Sequence, residues 1–117
     1  MDALSMTIKA IPTEYNGYRF RSRLEARWAV AFDHLGISYN YEKEGFDLPS
    51  GYYLPDFYLP QISSWIEIKG QAPTDEESAK IFELAAMAEQ YVYVFIGQIP
   101  YGLELYDDGW SSCKVWP

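Results

Sequence analysis

Apolar residues recur at helical spacing in two stretches of the chain and at strand spacing between and after them. Leu24, Trp28, Ala31, Phe32 and Leu35 fall three or four positions apart, which predicts a helix over residues 22–35 with a core-facing stripe. Ser22 followed three positions later by Glu25 is a capping-box pattern. Gly36 is placed to end that helix, with Ile37 folding back over its last turn. A second helix is predicted from Thr74 to about residue 90. Thr74 and Glu77 form its capping box, and Asp75 and Glu76 complement the helix dipole. Ile81, Leu84, Ala85 and Ala88 make its apolar face, with Phe82 and Met87 at the margins.

Between the helices the spacing shortens to two. Residues 38–42 alternate and read as a first strand, and residues 44–51 read as a turn-rich connection. Two short strands follow, 54–58 and 65–69, rich in aromatic and β-branched residues. Residues 61–64 suit a tight reversal, so these two pair antiparallel. Residues 91–96 make a buried strand ended by Gly97. A helix connects it to the 65–69 strand, which implies a right-handed crossover and parallel pairing. The ends are less patterned. Residues 7–12 form an extended arm or edge strand, closed by the turn pair Asn16-Gly17. Residues 103–106 are a weaker strand, Asp107-Asp108-Gly109 a turn, and Trp110, Val115 and Trp116 belong to a final edge strand. The expectation is one domain over 1–117, with an arm over 1–17 and a tail over 97–117.

Alternation also sorts the polar positions. Ile66 and Ile68 face one way, and Trp65, Glu67 and Lys69 the other, with Glu67 and Lys69 roughly 6–7 Å apart. In the expected hairpin register Asp56 lies beside them. Two acids and a lysine in a half-buried sheet are costly unless their charge is compensated. A divalent metal ion is the natural compensation, and oxygen donors favour Mg²⁺ or Mn²⁺ over zinc.

Composition narrows the classes. The 117 residues are 49% hydrophobic, enough for a real core in one compact domain. One cysteine, Cys113, allows neither an intramolecular disulfide nor a cysteine-based zinc site. The lone histidine, His34, weighs against zinc and Ser-His-Asp chemistry. No apolar run spans a bilayer and no signal peptide is apparent, so the expected location is cytoplasmic with no membrane partner. The formal charge of −8 disfavours general nucleic-acid binding.

Pro55-Asp56 followed by Glu67-Ile68-Lys69, on two strands between apolar flanks, resembles the PD-(D/E)XK nuclease superfamily. The upstream helix and the downstream helix-strand unit extend the likeness from about residue 22 to about residue 96. The resemblance implies an α/β (α+β) fold with a restriction-endonuclease-like core: a mixed central sheet flanked by two helices, in the order α-β-β-β-α-β. It implies a Mg²⁺- or Mn²⁺-dependent endonuclease acting on nucleic acid, with DNA the expected substrate. Asp56 and Glu67 would hold the metal, and the Ile68 carbonyl would complete its inner shell. Lys69 would orient the attacking water. No Gln-x-x-x-Tyr follows in the second helix. The set is therefore closer to small stand-alone endonucleases, such as archaeal Holliday-junction resolvases or TnsA-type catalytic domains.

Two features keep two readings each. Glu25 caps its own helix, or, as a first-helix glutamate does in the family, joins the active site. Arg19, Arg21, Arg23 and Arg27 form a solvated face paired with acids such as Glu25 and Asp33, or a basic strip for nucleic-acid phosphate. The rival to an enzyme is a silent nuclease-fold module that binds a protein partner or mimics DNA, which the negative charge favours. A chain this small also invites a homodimer or a DNA-binding partner for a long duplex.

Overall fold

A computed structural model describes residues 11–97 and the strand Lys114–Val115. The protein is of mixed α+β type, with two helices and a mixed sheet among the described residues. None of these helices is long and apolar enough to cross a membrane. The described residues form two compact units, 11–31 with 114–115, and 32–97.

In the first unit, β1 (Thr13–Tyr15) and β2 (Tyr18–Phe20) form an antiparallel hairpin. On the other side of β1, β9 (Lys114–Val115) pairs antiparallel with it and completes a three-stranded sheet. The turn is Asn16-Gly17, both with positive φ (53° and 83°). This pair of left-handed residues matches the twist of a two-residue hairpin, and Asn-Gly is the pair that adopts it most readily. The turn was legible; the strands around it were not anticipated. Residues 7–10, 103–106 and 107–110 of the sequence reading lie outside the described residues, as does Trp116. The expected final edge strand is present at Val115.

Helix α1 (Arg23–His34) begins in this unit, where Ser22 Oγ accepts from the Glu25 amide at 3.1 Å. At its far end Gly36 (φ 72°) donates to the Asp33 carbonyl and Ile37 to the Phe32 carbonyl, at 3.1 and 2.8 Å. This is the double-bonded glycine stop expected at residues 36 and 37. Trp28, Ala31 and Phe32 are buried, but Leu35 is 45% exposed. The helix ends before Leu35, so the 3.6-residue stripe no longer governs its direction.

The second unit is built on a four-stranded sheet in the order β3 (Asn40–Tyr41), β6 (Phe57–Leu59), β7 (Ser64–Lys69), β8 (Val92–Ile96). β6 pairs antiparallel with both β3 and β7, and β7 pairs parallel with β8. A short 3₁₀ turn, Pro60–Ile62, and left-handed Ser63 (φ 49°) reverse the chain between β6 and β7. On one face Phe57 and Ile66 lie opposite each other, and Phe32 from the last turn of α1 meets Phe57 edge-on at 5.3 Å.

The other face carries Tyr58 and Trp65. It is covered by α2 (Asp75–Ala88) and by a hairpin, β4 (Phe46–Leu48) and β5 (Gly51–Tyr53). Trp65, Leu48 and Leu84 are buried together, with Phe46, Tyr53, Tyr58, Ala88 and Val92 packed round them. Ser50 ties the hairpin to α2 through Glu83 Oε1, at 3.1 Å from its amide and 2.7 Å from its hydroxyl.

Two boundaries differ from expectation. Residues 44–51 are largely hairpin rather than connection, and Tyr52 and Tyr53 belong to it. The strand read over 54–58 begins only at Phe57. Pro55 has no amide to donate, and the Asp56 amide is taken by a side chain, so the ladder cannot start earlier. The element order therefore holds more strands than α-β-β-β-α-β. The central series of a helix, an antiparallel pair, a helix and a parallel strand is as expected. The strand expected to be buried over 91–96, however, is a sheet edge among the described residues, with Tyr91, Tyr93 and Ile96 exposed.

Candidate active site

The β6–β7 register places Asp56 directly beyond the Phe57–Ile66 pair, facing Glu67. The two residues hold each other through backbone amides. The Asp56 amide donates to Glu67 Oε1 at 3.1 Å, and the Ile68 amide donates to Asp56 Oδ2 at 2.7 Å. Each carboxylate is thus oriented by the opposite strand rather than by its own rotamer preference. Among the described residues these are the buried carboxylates, 7% and 5% exposed. The covered face, not an open sheet surface, is where Glu67 and Lys69 lie.

Lys69 lies at the sheet end of β7, with its Nζ 3.6 Å from Glu67 Oε2. Its closer partner is Glu77 of α2, whose Oε2 accepts from Nζ at 3.0 Å. Burial pulls the Lys69 pKa down. The Glu77 hydrogen bond and the charges of Glu67, Glu77 and Asp56 outweigh it, so the net shift is upward. Glu77 moves the other way, held down first by the Thr74 amide and then by Lys69. Lys69 is therefore an ammonium at neutral pH. It can donate hydrogen bonds and offset negative charge, but it is no general base.

Tyr53, at the end of β5, is a residue the sequence reading passed over. Its hydroxyl is buried toward the Glu67 carboxylate but makes no hydrogen bond of good distance and angle. Burial above all, then the Glu67 carboxylate, pushes its phenol far above the ordinary value of 10.0. A buried hydroxyl left unpaired costs about 1–3 kcal/mol. Tyr53→Phe is therefore expected to raise stability by about 1 kcal/mol, since the ring keeps its packing. Because the folded state holds the Tyr53 proton more tightly than the unfolded state, its contribution is complete below about pH 10 and fades as pH rises further. Lys69 acts in the same direction above its ordinary 10.5. Thermal melts from pH 7 to 11 should show a steep alkaline loss in the wild type and a shallower one in Tyr53→Phe. Identical slopes with no gain in stability would remove Tyr53 from this account.

The other sequence-predicted residues lie in the first unit. Glu25, half-exposed in the first turn of α1, donates its backbone amide to Ser22 Oγ, which is the Ser22 half of the capping box. Arg19 on β2, Arg21 and Arg23 are exposed, and Arg27 is half-buried within α1. Arg19 and Arg21 line a shallow depression with Pro12 and Phe20. Asp56, Glu67, Ile68 and Lys69 are brought together in the second unit.

The donor chemistry can be tested against a metal. Among the described residues no three His, Cys, Asp or Glu side chains converge as a cage. Asp56 and Glu67 offer two hard carboxylates, while Lys69 leans toward Glu77. Mg²⁺ is commonly held by one or two carboxylates with water in the remaining positions. Asp56 and Glu67 supply two oxygen donors of the kind such an ion takes, with the Lys69 ammonium shared between Glu67 and Glu77. Comparison with protein-family models, with curated proteins and with solved structures finds no match, so the reading of this site rests on its own geometry.

Proposed function

We propose that this protein is a metal-dependent endonuclease with a restriction-endonuclease-like core of the PD-(D/E)XK type, hydrolysing phosphodiester bonds of DNA. The observation that carries the proposal is the mutual anchoring of two buried acids, Asp56 and Glu67, beside the ammonium of Lys69. A purely structural acid pair at this cost of burial would be replaced to advantage by apolar residues.

Asp56 and Glu67 would hold Mg²⁺ or Mn²⁺, with the Ile68 carbonyl as a backbone ligand. The bound ion would supply Lewis acidity at the scissile phosphate and a water of lowered pKa. The protein's own share is orientation and charge. The Ile68 and Asp56 amides fix the planes of the two carboxylates. The Lys69 ammonium would orient the attacking water and offset charge that builds on the phosphoryl oxygens. Arg19, Arg21 and Arg23, exposed on an otherwise acidic chain, are the natural contacts for backbone phosphate.

The test is direct. Supercoiled plasmid, linear duplex, a branched DNA junction and RNA are each incubated with the protein in Mg²⁺ and in Mn²⁺. Cleavage of DNA that stops on chelation is the expected result. No cleavage of any substrate in either ion would overturn the proposal and favour an acidic binding module.

A further inference from the structure

Glu77 does more than its place in the sequence requires. A glutamate at the third position of a helix caps by accepting from the backbone amide of the residue before the helix. Glu77 does this with one oxygen, Oε1, which accepts from the Thr74 amide at 2.9 Å. Thr74 Oγ1 in turn accepts from the Glu77 amide at 3.1 Å. The second oxygen is not left to water. Oε2 accepts from Lys69 Nζ at 3.0 Å, across from α2 to β7.

We propose that Glu77 is the positioning residue for Lys69, holding its ammonium beside Glu67 without letting it close onto that carboxylate. This rests on the nuclease reading of the site. A lysine ammonium is a compact charge on a flexible four-carbon stem, and left alone it moves to the nearest acid. Here that acid would be Glu67, now 3.6 Å away and beyond a good hydrogen bond. A lysine collapsed onto Glu67 would neutralise a metal-holding carboxylate and withdraw its own N–H groups from the reaction. Glu77 prevents both by offering Lys69 a closer carboxylate oxygen than Glu67 does. Both of its oxygens are engaged, one by a helix cap that forms as α2 folds. Asp75 and Glu76 share the first turn and its dipole, but they are exposed and make no such bridge.

The experiment compares Glu77→Gln, Glu76→Gln, Lys69→Met and the double variant Glu77→Gln/Lys69→Met. Glutamine keeps the oxygen that the Thr74 amide needs, so the helix start is retained. Glu77→Gln is expected to lower kcat about 10–100-fold with KM for DNA little changed, the usual scale for a partner behind a reacting group. Glu76→Gln, which removes the same charge from the same turn, should cleave at the wild-type rate. In the Lys69→Met background Glu77→Gln should add nothing, because the lysine it positions is gone. A second readout needs no cleavage. In proton NMR the two Hε protons of Lys69 should have separate shifts in the wild type, as in a held side chain, and merge in Glu77→Gln. Full activity in Glu77→Gln, an additive loss in the double variant, or unchanged Hε shifts would each overturn the inference. A wild type that cleaves nothing but shows the shift change would instead sink the nuclease reading and leave the Glu77–Lys69 positioning standing.

Discussion

If the proposed nuclease reading holds, Asp56→Asn is expected to lower cleavage by about a thousandfold or more, since the Lewis acid it would hold is worth several kcal/mol. Glu67→Gln should do the same. The fold should survive in both. The amide oxygen introduced at position 56 can still accept from the Ile68 amide, and the one introduced at position 67 from the Asp56 amide. Removing a buried charge also removes its desolvation cost. Metal binding gives an independent measure. A ligand that binds only the folded state stabilises it by RT ln(1 + [L]/Kd). With a Kd of about 1 mM, 10 mM Mg²⁺ would add roughly 1.4 kcal/mol, a rise of several degrees in Tm. Because salt alone screens an acidic surface, the comparison is made against monovalent salt at matched ionic strength. The specific rise should vanish in Asp56→Asn and persist in Asp47→Asn, a control at an exposed position on the β4–β5 hairpin. Equal rises in all three proteins would place the metal elsewhere or nowhere.

Trp65→Ala is expected to cost about 3–5 kcal/mol, a large share of the roughly 5–15 kcal/mol that holds a domain folded. Trp65 is 3% exposed, with Phe46 edge-on at 5.2 Å and Tyr58 at 4.6 Å. Its indole N–H donates to Gln90 Oε1 at 2.8 Å, and Gln90 in turn donates to the Tyr58 hydroxyl at 3.2 Å. Alanine would empty the space under α2 and leave Gln90 without its donor. Urea unfolding should show the midpoint falling sharply, with Trp65→Phe intermediate because the cavity is smaller. A loss under about 1 kcal/mol would mean that α2 and the β4–β5 hairpin are not held on the sheet by this residue.

Much of this was legible in the sequence because the determinants are local. Both helix starts, the Gly36 stop and the Asn16-Gly17 turn are set by residues within four positions of one another. Asp56, Glu67 and Lys69 could be grouped because a tight reversal and a period of two leave little freedom in where they fall. The β4–β5 hairpin was hidden by Pro49, Ser50 and Gly51, which are as much loop residues as turn residues. Tyr53 lies just before the strand expected over 54–58 and could not be seen as a buried hydroxyl until that hairpin folded over the sheet. Glu77 was visible only as a cap. Its bridge to Lys69 depends on where a crossover helix begins relative to a strand end, and no spacing along the chain encodes that distance.

The reciprocal amide bonds between Asp56 and the Glu67–Ile68 segment make the site a gauge of strand register. Sliding β7 by one residue against β6 would set Ile66 or Ile68 opposite Asp56 and turn Glu67 toward the Phe57 face. Both anchoring bonds would break at once, and a carboxylate would be forced among apolar side chains. The surface turn over residues 60–63 is therefore fixed in length despite its exposure. A single residue inserted there would erase the chemistry and the packing together, whereas most exposed loops absorb such a change.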